Sequence, residues 1–141
     1  MIIFDKALSL DNLNPILNLI KTSLPNGGIV LIKGDLAAGK TTLVKNFVAY
    51  LGIKENVTSP TFSLQHIYSN YIYHYDIYNK GSENFLEMGL LEELEKDGYH
   101  FIEWADNRLK DIILNIGLNF IKIDIKRLSN NTREYKVTVD E

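Results

Sequence analysis

The densest chemical signal in the chain is the run Gly34-Asp35-Leu36-Ala37-Ala38-Gly39-Lys40-Thr41. It fits the spacing G-x-x-x-x-G-K-[ST] in full, and each fixed position has a chemical reason. Gly34 and Gly39 let the backbone wrap so that successive N–H groups point inward at phosphate oxygens. A helix opening at Lys40 adds the positive end of its dipole. Lys40 brings a mobile ammonium to the outer phosphates, and the Thr41 hydroxyl is spaced to ligate magnesium. Residues Gly34 to Thr42 therefore read as the cradle for ATP or GTP with magnesium, with the Leu36 side chain a packing residue.

Such a site needs acids. Asp76 closes the aromatic stretch 71–75, and Glu103 closes the apolar stretch 99–102. In open α/β sheets, ligands gather beyond the carboxyl ends of the strands. If both strands run parallel to 29–33, both carboxylates face Thr41. One can hold magnesium, directly or through water, while the other orients the attacking water. Lys40, Asp76 and Glu103 are thus the candidate catalytic residues, and Thr41, Glu103 and Asp76 the candidate metal ligands. The segment Thr58-Ser59-Pro60-Thr61 reads as a turn, where switch nucleotidases sense the outer phosphate. Trp104, the sole tryptophan, either packs the site or anchors another protein. His66 and His74 stand apart from any ligand cluster. No zinc site is expected, and both read as surface or packing residues on strands.

The elements that must position these residues follow from periodicity. A short strand at 2–4 precedes a helix over 11–23, with Leu13, Ile16, Leu17 and Ile20 at helical spacing. The continuous apolar run 29–32 suits a strand covered on both faces. A helix over 40–51 follows the loop, then strands at 61–68 and 71–75, and a helix over 83–96 interrupted near Gly89. A strand at 99–102 and a short helix over 106–114 lead to period-two segments 119–125 and 133–139, an antiparallel hairpin around Ser129-Asn130-Asn131. The expected fold is α/β, with a P-loop nucleoside triphosphate hydrolase architecture. Its mixed, mostly parallel sheet is flanked by helices and ends in a C-terminal hairpin, all in one domain over 1–141.

Composition narrows the functions. With 15 basic and 18 acidic side chains the net charge is −3, which argues against tight, independent nucleic-acid binding. There is no cysteine, so disulfides and thiolate chemistry are excluded. No stretch approaches the roughly 20 apolar residues of a membrane span. A cytoplasmic location is the expectation.

Taken together, Gly34 to Thr42, Val57-Thr58-Ser59-Pro60-Thr61-Phe62, His74-Tyr75-Asp76-Ile77-Tyr78, Met88-Gly89 and Ile102-Glu103-Trp104 resemble the TsaE (YjeE) family in order and interval, over residues 26–105. That family is the ATPase subunit of bacterial tRNA threonylcarbamoyladenosine biosynthesis. The resemblance implies a weak, partner-stimulated, magnesium-dependent ATPase that resets a complex of TsaD and TsaB and meets tRNA only through them. It also implies that Thr61 belongs to the nucleotide-sensing loop and that Arg133 lies near base or ribose. Three positions depart from the pattern. Ala37 replaces a usual glycine and fits only if its φ is not positive. Asn79, followed by Lys80, replaces an arginine, and Ala105 replaces a proline. Two other functions remain open from the residues alone: a small-molecule P-loop kinase, and a nucleotide-binding switch module with little turnover.

Overall fold

A computed structural model describes residues 1–35, 37–57, 65–78 and 81–139. The elements are β1 (Ile2–Ser9), α1 (Asn14–Ser23), β2 (Gly27–Lys33), α2 (Lys40–Tyr50), β3 (Gln65–Tyr68), β4 (Ile72–Asp76), α3 (Gly81–Glu87), α4 (Leu90–Glu93), β5 (Gly98–Glu103), α5 (Asn107–Asn115), β6 (Phe120–Arg127) and β7 (Thr132–Val139). Among the described residues they form one seven-stranded sheet in the order β1-β7-β6-β2-β5-β4-β3. The central strands β6, β2, β5 and β4 are mutually parallel, while β1, β7 and β3 pair antiparallel at the margins.

The apolar run of β2 is explained by its position. Val30 and Ile32 enter the core under α1 and α2, while Ile29 and Leu31 enter the core under α3, α4 and α5. A strand buried on both faces needs no polar alternation. Helix α2 is seated by Leu43, Val44 and Phe47, all fully buried, and Phe47 packs edge-on against Tyr99 at a centroid distance of 4.8 Å. Removing such a ring costs about 3–5 kcal/mol. The position of the helix, and so of Lys40 and Thr41 at its start, is fixed by that contact.

Alternation along β4 and β5 then sorts the chemistry. Ile72, Tyr99 and Phe101 face α1 and α2, whereas Tyr73, Tyr75 and Ile102 face the other layer. By period two, His74, Asp76 and Glu103 fall on the α2 side. Asp76 and Glu103 are register partners at the carboxyl ends of their strands.

One element, β1, differs from expectation, while the 83–96 helix is interrupted at Gly89 as expected. Strand β1 runs eight residues rather than three, because it pairs along its length with β7 at the far end of the chain. The 83–96 helix is two short helices divided at Gly89, whose φ is 72°. The first part of the expected strand 61–68 lies outside the described residues; β3 starts at Gln65.

On the α3–α5 side, His100 stacks on Tyr73 at 4.3 Å and is fully buried. Its Nε2 donates to the Lys96 carbonyl at 2.8 Å, so its Nδ1 accepts from the Tyr75 hydroxyl at 2.9 Å. Burial holds the imidazole below the ordinary histidine range. The neutral ring is favoured in the fold, so this contribution is complete above about pH 6.5, the unfolded value. It is lost as pH falls from there toward the folded value, because only the unfolded chain takes up the proton. In urea unfolding at pH 7.5 and 5.5, stability is expected to fall less on acidification in His100→Gln than in the wild-type chain. Equal falls in both would contradict this role.

Candidate active site

The loop after β2 begins where a side chain cannot fit. A Cβ on Gly34 would stand 2.7 Å from the Ile125 carbonyl oxygen of β6. The loop closes with an Ala38 N–H bond to the Asp35 carbonyl at 3.0 Å. Gly39 then caps α2 in the left-handed region, at φ 102°. Three consecutive residues, Lys40, Thr41 and Thr42, open the helix, so their N–H groups belong to the first turn, which lacks intrahelical acceptors. This is the geometry of an anion cradle. Thr42 is tied into the turn through its carbonyl, which accepts from Asn46 Nδ2 at 2.8 Å.

Lys40 is 5% exposed and folds back over the loop. Its Nζ donates to the carbonyls of Gly34 at 2.7 Å and Asp35 at 2.8 Å, and lies 4.3 Å from the centroid of the Trp104 ring. Burial pushes its ammonium below the ordinary lysine range, against the opposing pull of the Glu103, Asp76 and Asp35 carboxylates. The ammonium thus waits among oxygens and an aromatic face where outer phosphates would be met.

Beside it, the Thr41 hydroxyl donates to Glu103 Oε2 at 3.2 Å. The same oxygen is hydrogen-bonded by His74 Nε2. Glu103 is 3% exposed and His74 is 0% exposed. Asp76, next to Glu103 in register, accepts from the Tyr78 N–H at 3.0 Å. With its proton committed to Glu103, the Thr41 oxygen keeps its lone pairs for a cation, and a carboxylate lies behind it. Hydroxyl and carboxylate oxygens are the hard donors that magnesium takes beside phosphate and water. The residues fit that ion.

Lys40, Thr41, Asp76 and Glu103 are therefore brought to one point at the carboxyl ends of β2, β4 and β5. Trp104 joins them in the left-handed region, at φ 68°, with its ring in tilted contact with Tyr78 at a centroid distance of 4.6 Å. Arg133 is 7% exposed and lies behind the loop, its Nε donating to the Ala38 carbonyl at 2.9 Å and its Nη1 to the Ser129 carbonyl at 2.6 Å. It props the loop from β7. Leu36, Ser59, Pro60 and Thr61 lie outside the described residues, as do Asn79 and Lys80. A groove of about 900 Å³ adjoins the loop, bordered by Gly34, Asp35, Ala38, Trp104, Asp124 and Arg127.

His74, expected at the surface or in packing, is fully buried and also hydrogen-bonds Glu103, a contact not expected from the sequence. The signal was its spacing: two residues before Asp76 on a strand, it shares the face of the acids. A second correction concerns Ala37, whose φ is +64°. The alanine does occupy the left-handed conformation, at a cost of about 1–2 kcal/mol, so the loop keeps a glycine-like course without the glycine.

A strand, a glycine-bounded turn and a helix, with a carboxylate set against the helix-start hydroxyl at a sheet switch point, define a P-loop nucleotide hydrolase. A model of the family described as threonylcarbamoyl adenosine biosynthesis protein TsaE matches residues 9–135. The tRNA threonylcarbamoyladenosine biosynthesis protein TsaE of Treponema pallidum (strain Nichols) is 35% identical over 117 residues, covering 81% of this chain and 84% of that protein. The protein of the same name from Bacillus subtilis (strain 168) is 35% identical over 115 residues, covering 79% and 70%. The crystal structure of YdiB from Bacillus subtilis superposes with a TM-score of 0.63 at 26% identity, covering 100% of this chain and 88% of that one. The chain belongs to the TsaE family.

The left-handed Ala37 gives a direct test of the loop. Ala37→Gly should stabilise the protein by about 0.5–1 kcal/mol, the relief of strain less the added chain entropy of glycine. Ala37→Val should cost about 1 kcal/mol or more, because a β-branched side chain tolerates this region least. Urea unfolding of the two variants checks both signs; a destabilised Ala37→Gly would contradict the loop geometry.

Proposed function

We propose that this chain is the ATPase of tRNA threonylcarbamoyladenosine formation. In this reading it binds ATP with magnesium, hydrolyses it slowly alone, and uses the cycle to reset a TsaD–TsaB complex between turnovers. The modified base is the adenosine beside the anticodon in tRNAs reading codons that begin with A, met only through that complex. The observation that carries the reading is the Thr41–Glu103 hydrogen bond behind a phosphate-loop sequence that fits its motif in full, in a chain of this family.

The N–H groups of the loop and of the first turn of α2 would take the phosphate oxygens. Lys40 would exchange the Gly34 and Asp35 carbonyls for the outer phosphates, an exchange favoured by its shallow hydration and by charge pairing. Magnesium, held by Thr41 and through water by Glu103, would supply neutralisation of phosphate charge. Asp76 would orient the attacking water, and Thr61 would sense the outer phosphate. Arg133 would act on the nucleotide through the loop it props, and the groove beside the loop gives room for base and ribose.

Slow turnover by the isolated chain is supported by its arginines. Arg108 pairs with Glu83 at 3.1 Å, Arg127 with Ser129 and Asn130, and Arg133 with backbone carbonyls. All three of the chain's arginines are thus held by protein acceptors, while phosphoryl transfer gains most from an arginine at the developing charge. A partner is the natural source of that help. A net charge of −3 favours protein contacts over direct tRNA binding. Among the described residues no helix is long and apolar enough to cross a membrane, and a cytoplasmic site of action accords with a tRNA pathway.

Reconstituted tRNA modification with TsaD, TsaB and the separately supplied threonylcarbamoyl adenylate tests this. Omission of the chain, or its replacement by Lys40→Ala or Thr41→Ala, should abolish multiple turnover. Glu103→Ala should still bind nucleotide, with a weaker response to magnesium, while losing about 100-fold or more in hydrolysis, the scale of losing a positioned group in an active site. Full modification without the chain would refute the proposal, and so would wild-type hydrolysis by Glu103→Ala.

A further inference from the structure

We infer that His74 is a positioning residue for the nucleotide site, holding the Glu103 carboxylate in the orientation that engages Thr41. The inference rests on the ATPase reading above and extends it to a side chain outside the loop and the acids. Three observations carry it.

The first is convergence. Thr41 Oγ1, from α2, and His74 Nε2, from β4, both bond to the same oxygen, Oε2, of Glu103 on β5. Three elements thus meet on one atom. The second is burial. His74 has no exposed surface, and the Glu103 side chain is 4% exposed, so water is a poor substitute for either bond. A buried carboxylate rotates freely about its last torsion unless donors fix it, and here a ring anchored in the core supplies the donor. The third is the other ring nitrogen. His74 Nδ1 is buried and has no hydrogen-bond partner among the described residues. A proton there would be an unsatisfied donor, costing more than a bare lone pair, so the proton belongs on Nε2, facing Glu103. Phe101 is the register partner of His74 on the adjacent strand and is itself fully buried. The arrangement is that of an imidazole steering a carboxylate that in turn serves a metal-binding hydroxyl.

Ring ¹⁵N resonances of the nucleotide-free wild-type protein read the tautomer directly. The proton is expected on Nε2 with Nδ1 bare; a proton on Nδ1 with Nε2 bare would overturn the assignment even if every variant failed to fold. His74→Leu removes the donor and His74→Gln returns an N–H near the position of Nε2. In His74→Leu the magnesium concentration needed for half-maximal ATP binding should rise about 10-fold or more, with a comparable loss in kcat, the range for partners of metal-site ligands. ATP affinity measured without magnesium should stay within about 3-fold, a difference below 1 kcal/mol. His74→Gln should recover most of both losses. Wild-type magnesium requirement and kcat in His74→Leu, or no recovery in a folded His74→Gln, would overturn the role. Failure of the wild-type chain itself to bind or hydrolyse ATP would instead refute the ATPase reading.

Discussion

A carboxylate buried at the end of a central strand constrains the rest of this structure. Taking Glu103 out of water costs several kcal/mol unless donors meet it, and a single missing partner leaves that cost uncompensated. Its donors come from two other elements, the Thr41 hydroxyl at the start of α2 and the His74 ring on β4. The His74 bond requires β4 and β5 to be adjacent, parallel and in the register that pairs Asp76 with Glu103, and the Thr41 bond rests on the parallel pairing of β2 with β5. A one-residue slip would turn His74 and Asp76 to the opposite face. Sheet order, register and the seating of α2 on Phe47 are thus the conditions under which the carboxylate can exist where it does.

The same economy governs the loop. Two non-glycine residues, Ala37 and Trp104, hold positive φ on either side of Lys40, conformations that persist only where surroundings over-determine them. Trp104 touches Tyr78 in a tilted ring contact and meets the Lys40 ammonium 4.3 Å from its centroid. Arg133 holds Ala38 from behind. Two of the four positive-φ non-glycine residues among those described, and the buried Lys40 and Glu103, thus lie at the end of the sheet where family membership and fold locate nucleotide chemistry.

Much of this was legible in the residues. The loop from Gly34 to Thr41 carried its own spacing, and Asp76 and Glu103 were marked by position after apolar runs. Their meeting followed from a parallel sheet with ligands at its carboxyl ends. The C-terminal hairpin was written in its alternation. Other features depended on partners distant in sequence. β1 is long because β7 pairs with it, and its own alternation is too weak to say so. The spacing of His74 from Asp76 marks its face, but its partner, Glu103, is 29 residues on. Ala37, expected to fit only where φ is not positive, takes φ +64° all the same, so a local preference is overridden in the loop.

The most direct test of the central claim, that Thr41 and Glu103 act as one unit, is a double-mutant cycle. Thr41→Val, Glu103→Gln and the double variant would be compared with wild type for magnesium-dependent ATP affinity by calorimetry. Groups sharing one hydrogen-bond network couple by about 0.5–3 kcal/mol. The expected result is that the second substitution costs markedly less once the first is present. Additive losses, with no coupling beyond about 0.3 kcal/mol, would contradict the account.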